Sequence, residues 1–316
     1  MTAVGQGLAW IGRQASLLFF LGVFTGVVAP PLASLAKPLL VPAILLPFVV
    51  ALLRLEPAAL VRHARRPGLV LGLVAWSLVG APVLITVVLR LGPPAPDLAA
   101  LLVTTAACAP LMASGALAML LGLDIALALL VVVPATALVP LTVPPAALWL
   151  AGLTIDLPAG AFALRLAVLI AGAAALALVL RRWLGTERLA AAAPVFDGLA
   201  VLGLVVFAVG VMDGFTLTAL DRPGFVALVV LAVFALNAGL QAVTALCLWP
   251  FVARRVALTA GLVAGNNNIG LVLAAVIDTA PATMLVYVAA AQFPIYLLPI
   301  LQRRIYPRLL DSEKSA

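Results

Sequence analysis

Three consecutive asparagines, Asn266, Asn267 and Asn268, stand between Gly265 and Gly270 in GLVAGNNNIGLVLAAV, a stretch otherwise built of small and aliphatic residues. Each carboxamide can both donate and accept hydrogen bonds. Such groups can satisfy backbone N–H and C=O groups freed from a helix, or hold the polar part of a ligand. Neighbours on a helix are about 100° apart, so the three cannot all face one partner helix. The run is therefore read as a broken or cavity-lining segment, with Gly265 and Gly270 as helix-break residues that allow conformations other residues resist. CAPLMASGALAML carries similar ingredients. There Pro110 removes a backbone donor one turn before Ser114, and Gly115 adds a second weak helical point. Asn237 and Gln241, four residues apart, share one helix face. They either line the same cavity or bond a neighbouring helix. Asp197, in APVFDGLAV, is the one carboxylate placed within an apolar run, near its end. With Asp124 it is a possible proton relay. The plainer roles are a solvated interfacial carboxylate for Asp197 and a helix N-cap for Asp124.

Other chemistries lack the residues to carry them. No HExxH, paired carboxylates, Ser–His pair or ATP-binding loop occurs, so no catalytic residues are assigned. His63, in RHARRP, is the single histidine. Cys108 and Cys247 lie in apolar runs and read as small buried hydrophobes. No metal site and no cofactor are assigned.

The elements that must position the asparagines follow from composition. Of 316 residues, 66% are hydrophobic and 9% charged. A water-soluble domain carries about a quarter charged residues. Apolar runs long enough to cross a bilayer, about 20 residues each, recur along the chain. The fold class is an all-α polytopic membrane protein. Breaks in the runs give ten transmembrane helices, at roughly 15–29, 38–54, 68–91, 98–121, 124–151, 162–182, 192–212, 223–249, 256–277 and 282–302. The first is read as retained rather than as a cleaved leader, because only Arg13 supplies a basic flank. Of the 18 Lys and Arg, only Lys37, Arg90, Arg165 and Arg222 fall on one side of this arrangement. The others gather at the termini and even-numbered loops, which places both termini in the cytoplasm. The net charge of +7 is accordingly topological, with the lipid bilayer as partner and no nucleic acid. Ten spans divide into five plus five, residues 1–156 and 157–316. An odd-numbered repeat re-enters from the opposite side, giving two inverted five-helix repeats. The stretches at Ser114 and at Asn266–Asn268 each fall in the fourth span of their half. Paired interrupted helices of this kind point to a transporter site.

At these residues the chain resembles the bile acid:sodium symporter family, as a divergent member of the wider bile/arsenite/riboflavin-type transporter superfamily. The family's fourth span reads approximately P-x-x-x-A-S-N and then G-[DN]-x-A-L-S. Here stand Pro110, Ala113-Ser114-Gly115 and Asp124-Ile125-Ala126-Leu127-Ala128. The ninth span, approximately E-x-G-x-Q-N-x-G-L in the family, is Val263 to Leu271 here. Pro82 and Ser77 match the third-span proline and the polar residue five before it, and Asn237 matches a helix-eight asparagine. The resemblance spans nearly the whole chain and implies discontinuous helices four and nine crossing at mid-membrane. It also implies a panel domain (15–54 and 162–212), a core domain (68–151 and 223–302), and a substrate bound between them. The binding residues it implies are Ser77, Ser114, Gly115, Asn266, Asn267, Asn268, Asn237 and Gln241.

The departures bear on the coupling ion. Gly115 stands where the family has Asn, Ala128 where it has Ser, Val132 where Thr is usual, and Val263 where it has an acidic residue; Ser77 and Asn267 replace Gln. A hard cation needs several oxygen ligands. Coupling to Na+ is therefore expected to be weak or absent, with H+ the other possible coupling ion. No Lys or Arg lies near the centre of a span, so an anionic substrate would rest on amides and helix N-termini. A secondary transporter of a small organic solute, an organic anion by the resemblance, is the expected function, with no enzyme activity and no obligatory protein partner. An auxin-efflux-like or arsenite-like carrier and a channel or membrane sensor on the same scaffold are the alternatives. The 16 Arg against 2 Lys suggest a GC-rich bacterial genome and an inner-membrane location.

Overall fold

The computed structural model describes residues 3–54, 67–92 and 94–314; the basic stretch with Arg62, His63, Arg65 and Arg66 lies outside the described residues. The described residues form helices joined by short connections, with no strand beyond one isolated bridge. α1 (Ala3–Arg13) and α2 (Ala15–Val28) form a bent pair. α3 (Pro30–Ala36) passes through a 3-10 turn into α4 (Leu40–Arg54). α5 (Pro67–Ala75) continues through a π-helical segment, Trp76–Gly80, into α6 (Ala81–Leu91). α7 (Pro96–Ala107) and α8 (Ser114–Leu120) are separated by a non-helical stretch. α9 (Ile125–Pro145) ends in a second π-helical segment, Ala146–Leu150. α10 (Ala159–Ala191), α11 (Ala193–Gly210), α12 (Phe215–Asp221) and α13 (Pro223–Leu248) follow. The chain then forms α14 (Arg254–Gly265), α15 (Ile269–Val276) and α16 (Ala282–Lys314).

Among the described residues seven helices are long and apolar enough to cross a membrane, and the bent pair α1–α2 gives up to eight. Their surface is that of a protein in lipid. Leu91, Leu141, Trp149, Leu178 and Val179 are exposed, whereas Asn237, Gln241, Asn266, Asn267 and Gln292 are buried. Water would reward the reverse, but a hydrocarbon solvent favours apolar groups outside and carboxamides paired within. The chain is a multi-pass helical membrane protein. In α7–α8 and α14–α15 no single helix is long enough to span, because each apolar run is interrupted, at 108–113 and at 266–268.

α11 lies against α1, α2, α3 and α4, and α4 also packs on α10. α13 packs on α14 and α16, and α9 on α8 and α14. α15 meets α4 and α10, so the second broken element lies where these two groups of helices touch. α10 runs past its apolar length, and Gly185 takes a left-handed φ of 75° near its end, a turn that disfavours other residues. Cys108 is buried as expected, its thiol donating to the Thr104 carbonyl at 3.2 Å. Cys247 differs: it is exposed, on the outer side of α13, and both thiols are free.

Candidate functional site

The two interruptions meet. Pro110 and Asn267 form an antiparallel bridge, with the Leu111 N–H donating to the Asn266 carbonyl at 2.7 Å and the Asn268 N–H to the Ala109 carbonyl at 2.9 Å. Each break thus satisfies backbone groups of the other, which hydrocarbon could not. Pro110 occupies the position of the bridge that needs no N–H, so its missing donor costs nothing there.

The three asparagines divide the remaining work. Asn266 ends α14: its Nδ2 donates to the Leu262 carbonyl at 2.9 Å, and its Oδ1 accepts from Asn237 Nδ2 at 3.4 Å. Asn268 starts α15 as its N-cap, accepting from the Leu271 N–H at 3.2 Å. Asn267, between them, is 4% exposed, and neither its Nδ2 nor its Oδ1 has a partner. An unpartnered buried carboxamide is costly, and it marks a position where a ligand or water completes the bonding.

Asn267 borders a cavity of about 380 Å³. Asn268, Gly270 and Gly115 line it beside Leu111, Met112 and Leu129, with Ile44, Pro47, Phe48 and Arg54 from α4, Asp197 and Phe207 from α11, and Gln292 and Tyr296 from α16. The size suits a small organic ligand, and the mostly apolar wall with a few polar groups is the usual composition of such a site. The Arg54 guanidinium pairs with the Asp197 carboxylate, and the pair also lines the cavity, with side chains 51% and 41% exposed.

The remaining expected site residues lie elsewhere. Asn237 and Gln241 are buried but do not line the cavity. Gln241 Nε2 donates to Asn237 Oδ1 at 2.6 Å, and Gln241 Oε1 accepts from Gln302 Nε2 at 2.6 Å. With Asn266 they form a carboxamide chain that fixes α14 and α16 to α13. Ser114 and Ser77 are buried outside the cavity wall, and Ser114 Oγ has no partner. Asp124 caps α9 by accepting from the Leu127 N–H at 3.0 Å, its plainer expected role.

The glycines act differently from the expectation. Gly265 and Gly270 sit inside α14 and α15, and neither has a positive φ; the non-helical angles fall on Asn266 (φ −93°, ψ 79°) and Asn268 (φ −91°, ψ 66°). The two glycines serve close approach instead. A Cβ on Gly265 would collide with the Asn237 carbonyl and the Gln241 side chain, and one on Gly270 with Ile44 of α4 and, at 3.1 Å, Phe207 of α11. Gly115 is similarly confined, since a Cβ there would stand 2.8 Å from Leu129 Cδ2.

Arg54, Gln292 and Tyr296 were missed by sequence reasoning. Gln292 had a signal, as a lone carboxamide in VYVAAAQFPIYLL; Arg54 read as one member of a basic loop. Among the described residues no group of three His, Cys, Asp or Glu could hold a metal ion. No protein-family model matches the chain, and no curated protein matches it.

Proposed function

We propose that the chain is a secondary carrier for a small amphipathic organic solute, an organic anion by the family resemblance, working by alternating access. The observation that carries this reading is the bridge between two interrupted helices beside a cavity bordered by Asn267, whose buried carboxamide has no partner. Irregular backbone inside a membrane is stable only where it is buried in protein or lines a cavity, and transporter sites are built this way. In this reading α7–α8 and α14–α15 are two broken spans. Together with the seven long helices and the α1–α2 pair they make ten, arranged as inverted repeats 1–156 and 157–316. The packing of α11 on α1–α4 supports a panel, and that of α13 on α14 and α16 supports a core. The solute binds between them, and movement of one against the other exposes it to either side. The membrane is a bacterial inner membrane with both termini cytoplasmic, and the chain is a divergent member of the bile acid:sodium symporter family, within the bile/arsenite/riboflavin-type transporter superfamily.

Coupling to sodium is weak or absent. The residues at the family's ion positions, Gly115, Ala128, Val132 and Val263, have no side-chain oxygen. Ser77, Ser114, Asn267 and Asn268 keep side-chain oxygens, but no carboxylate stands among these positions, and a hard cation favours several oxygens with negative charge nearby.

The test is ligand-induced thermal stabilisation of the purified chain across a set of organic anions, with and without Na+. A solute that stabilises the wild type equally in both, and fails to stabilise Asn267→Ala, is the expected result. Strict sodium dependence would overturn the coupling reading. Solute binding indifferent to Asn267 would overturn the site.

A further inference from the structure

We infer that Arg54 is the residue that selects an anionic solute, by exchanging its bond to Asp197 for one to the solute's carboxylate; this rests on the carrier reading of the cavity. α4 and α11 are joined by ion pairs near both ends. At one end Lys37 donates to Asp213 at 2.9 Å, and at the other Arg54 pairs with Asp197. The two pairs differ: Asp213 also accepts from the Ser34 hydroxyl at 2.5 Å and is only 20% exposed, against 41% for Asp197. Arg54 and Asp197 both line the cavity, and they are its only charged lining residues among those described; Lys37 and Asp213 are not in its wall. The rest of the wall is mostly apolar, with Asn267 and Asn268 at the bridge and Gln292 and Tyr296 on α16. A solute with an apolar body and one carboxylate can lie along it with that carboxylate on the guanidinium.

The chemistry suits exchange. Arg presents its donors as a planar fork matched to carboxylates, and it keeps its charge. The pair is half exposed, so the bond to Asp197 is weak enough to be replaced. Asp197 then has a second effect. While it holds Arg54 it neutralises the one cation in the wall among the described residues and repels an arriving anion. The two residues therefore act in opposite directions on anion affinity, which a clamp alone would not produce.

The probe is 1-adamantanecarboxylate, with 1-adamantanemethanol and 1-adamantanamine as neutral and cationic analogues of the same shape, titrated calorimetrically into the full chain in detergent. The wild type should bind the carboxylate more tightly than the alcohol. Arg54→Gln should weaken the carboxylate about tenfold, as expected for loss of one charge-assisted contact, and leave the alcohol unchanged. Asp197→Asn should strengthen the carboxylate, and Lys37→Gln should change neither. Arg54→Lys, which keeps the charge, should restore part of the preference and covers the case in which Arg54→Gln does not fold. Equal binding of carboxylate and alcohol by the wild type overturns the inference, as does a preference that survives Arg54→Gln or a weakening in Asp197→Asn. If the three probes bind alike and Asn267→Ala abolishes all of them, anion selection by Arg54 fails and the carrier reading stands. If none binds, the inference fails and the cavity's role as a solute site fails with it.

Discussion

Replacing the three asparagines one at a time should separate positions that hold the fold from the position that holds a solute. Asn266→Ala removes the 2.9 Å bond to the Leu262 carbonyl and strips Asn237 Nδ2 of its acceptor in a buried chain. One lost bond is worth about 1 kcal/mol and an orphaned buried donor about 1–3 kcal/mol, so the variant should lose about 2–4 kcal/mol. Asn268→Ala removes the N-cap of α15, at a cost of about 1 kcal/mol. Asn267→Ala removes a side chain with no partner, so the free protein should be unchanged or more stable by up to about 2 kcal/mol. The assay is equilibrium unfolding in mixed micelles, followed by the fluorescence of the five tryptophans. The expected order of stability is Asn267→Ala at or above wild type, then Asn268→Ala, then Asn266→Ala. The same Asn267→Ala protein should lose solute binding. If Asn267→Ala were as unstable as Asn266→Ala, the middle carboxamide would be structural, and the reasoning from its free atoms would be refuted.

Further outcomes follow from the packing and the ion pairs. Gly265→Ala places a methyl against the Asn237 carbonyl and Gln241, and should destabilise by about 1–3 kcal/mol in the same unfolding assay, with α14 forced from α13. Arg165 of α10 donates to Asp278 at 2.8 Å and to the Ala275 carbonyl at 3.3 Å, across the end of α15 away from the Asn267 bridge. The two side chains are 39% and 61% exposed, so in the carrier reading Arg165→Ala should shift the balance between access states by at most about fivefold, measurable as a change in labelling rate of a cavity cysteine. If sodium coupling is weak or absent as proposed, replacing Na+ with choline should leave the affinity of any bound solute unchanged within about twofold, because there is then no linkage between ion and solute.

The course of the chain was readable because bilayer thickness sets the length of an apolar run. The break after Val28 and the ends of α5–α6, α9 and α13 fall within a few residues of the sequence expectation. The two interruptions were readable too, because Pro110 and a run of three carboxamides are chemically out of place in such helices. Which asparagine does what was not readable. That depends on the bridge between Pro110 and Asn267, which pairs residues more than a hundred positions apart. Gly265 and Gly270 announce themselves as flexible residues in a sequence, whereas their role here is to make room for α13, α4 and α11. Asn237 and Gln241 share a face, but only the position of α16 decides that the face meets Gln302 and not the cavity. The Arg54–Asp197 pair joins residues 143 apart in sequence and has no local signature.

The most direct test of the carrier reading is access to the cavity from both sides of the membrane. Ala200 lines the cavity on α11. In a background with Cys108 and Cys247 replaced by serine, Ala200→Cys would be reconstituted into liposomes of defined orientation and treated with a membrane-impermeant maleimide from each side in turn. The account predicts labelling from both sides, with no ion or solute leak through the liposome wall, and protection from both sides when a solute is bound. Labelling from one side only under every condition, or two-sided labelling accompanied by a continuous leak, would contradict it.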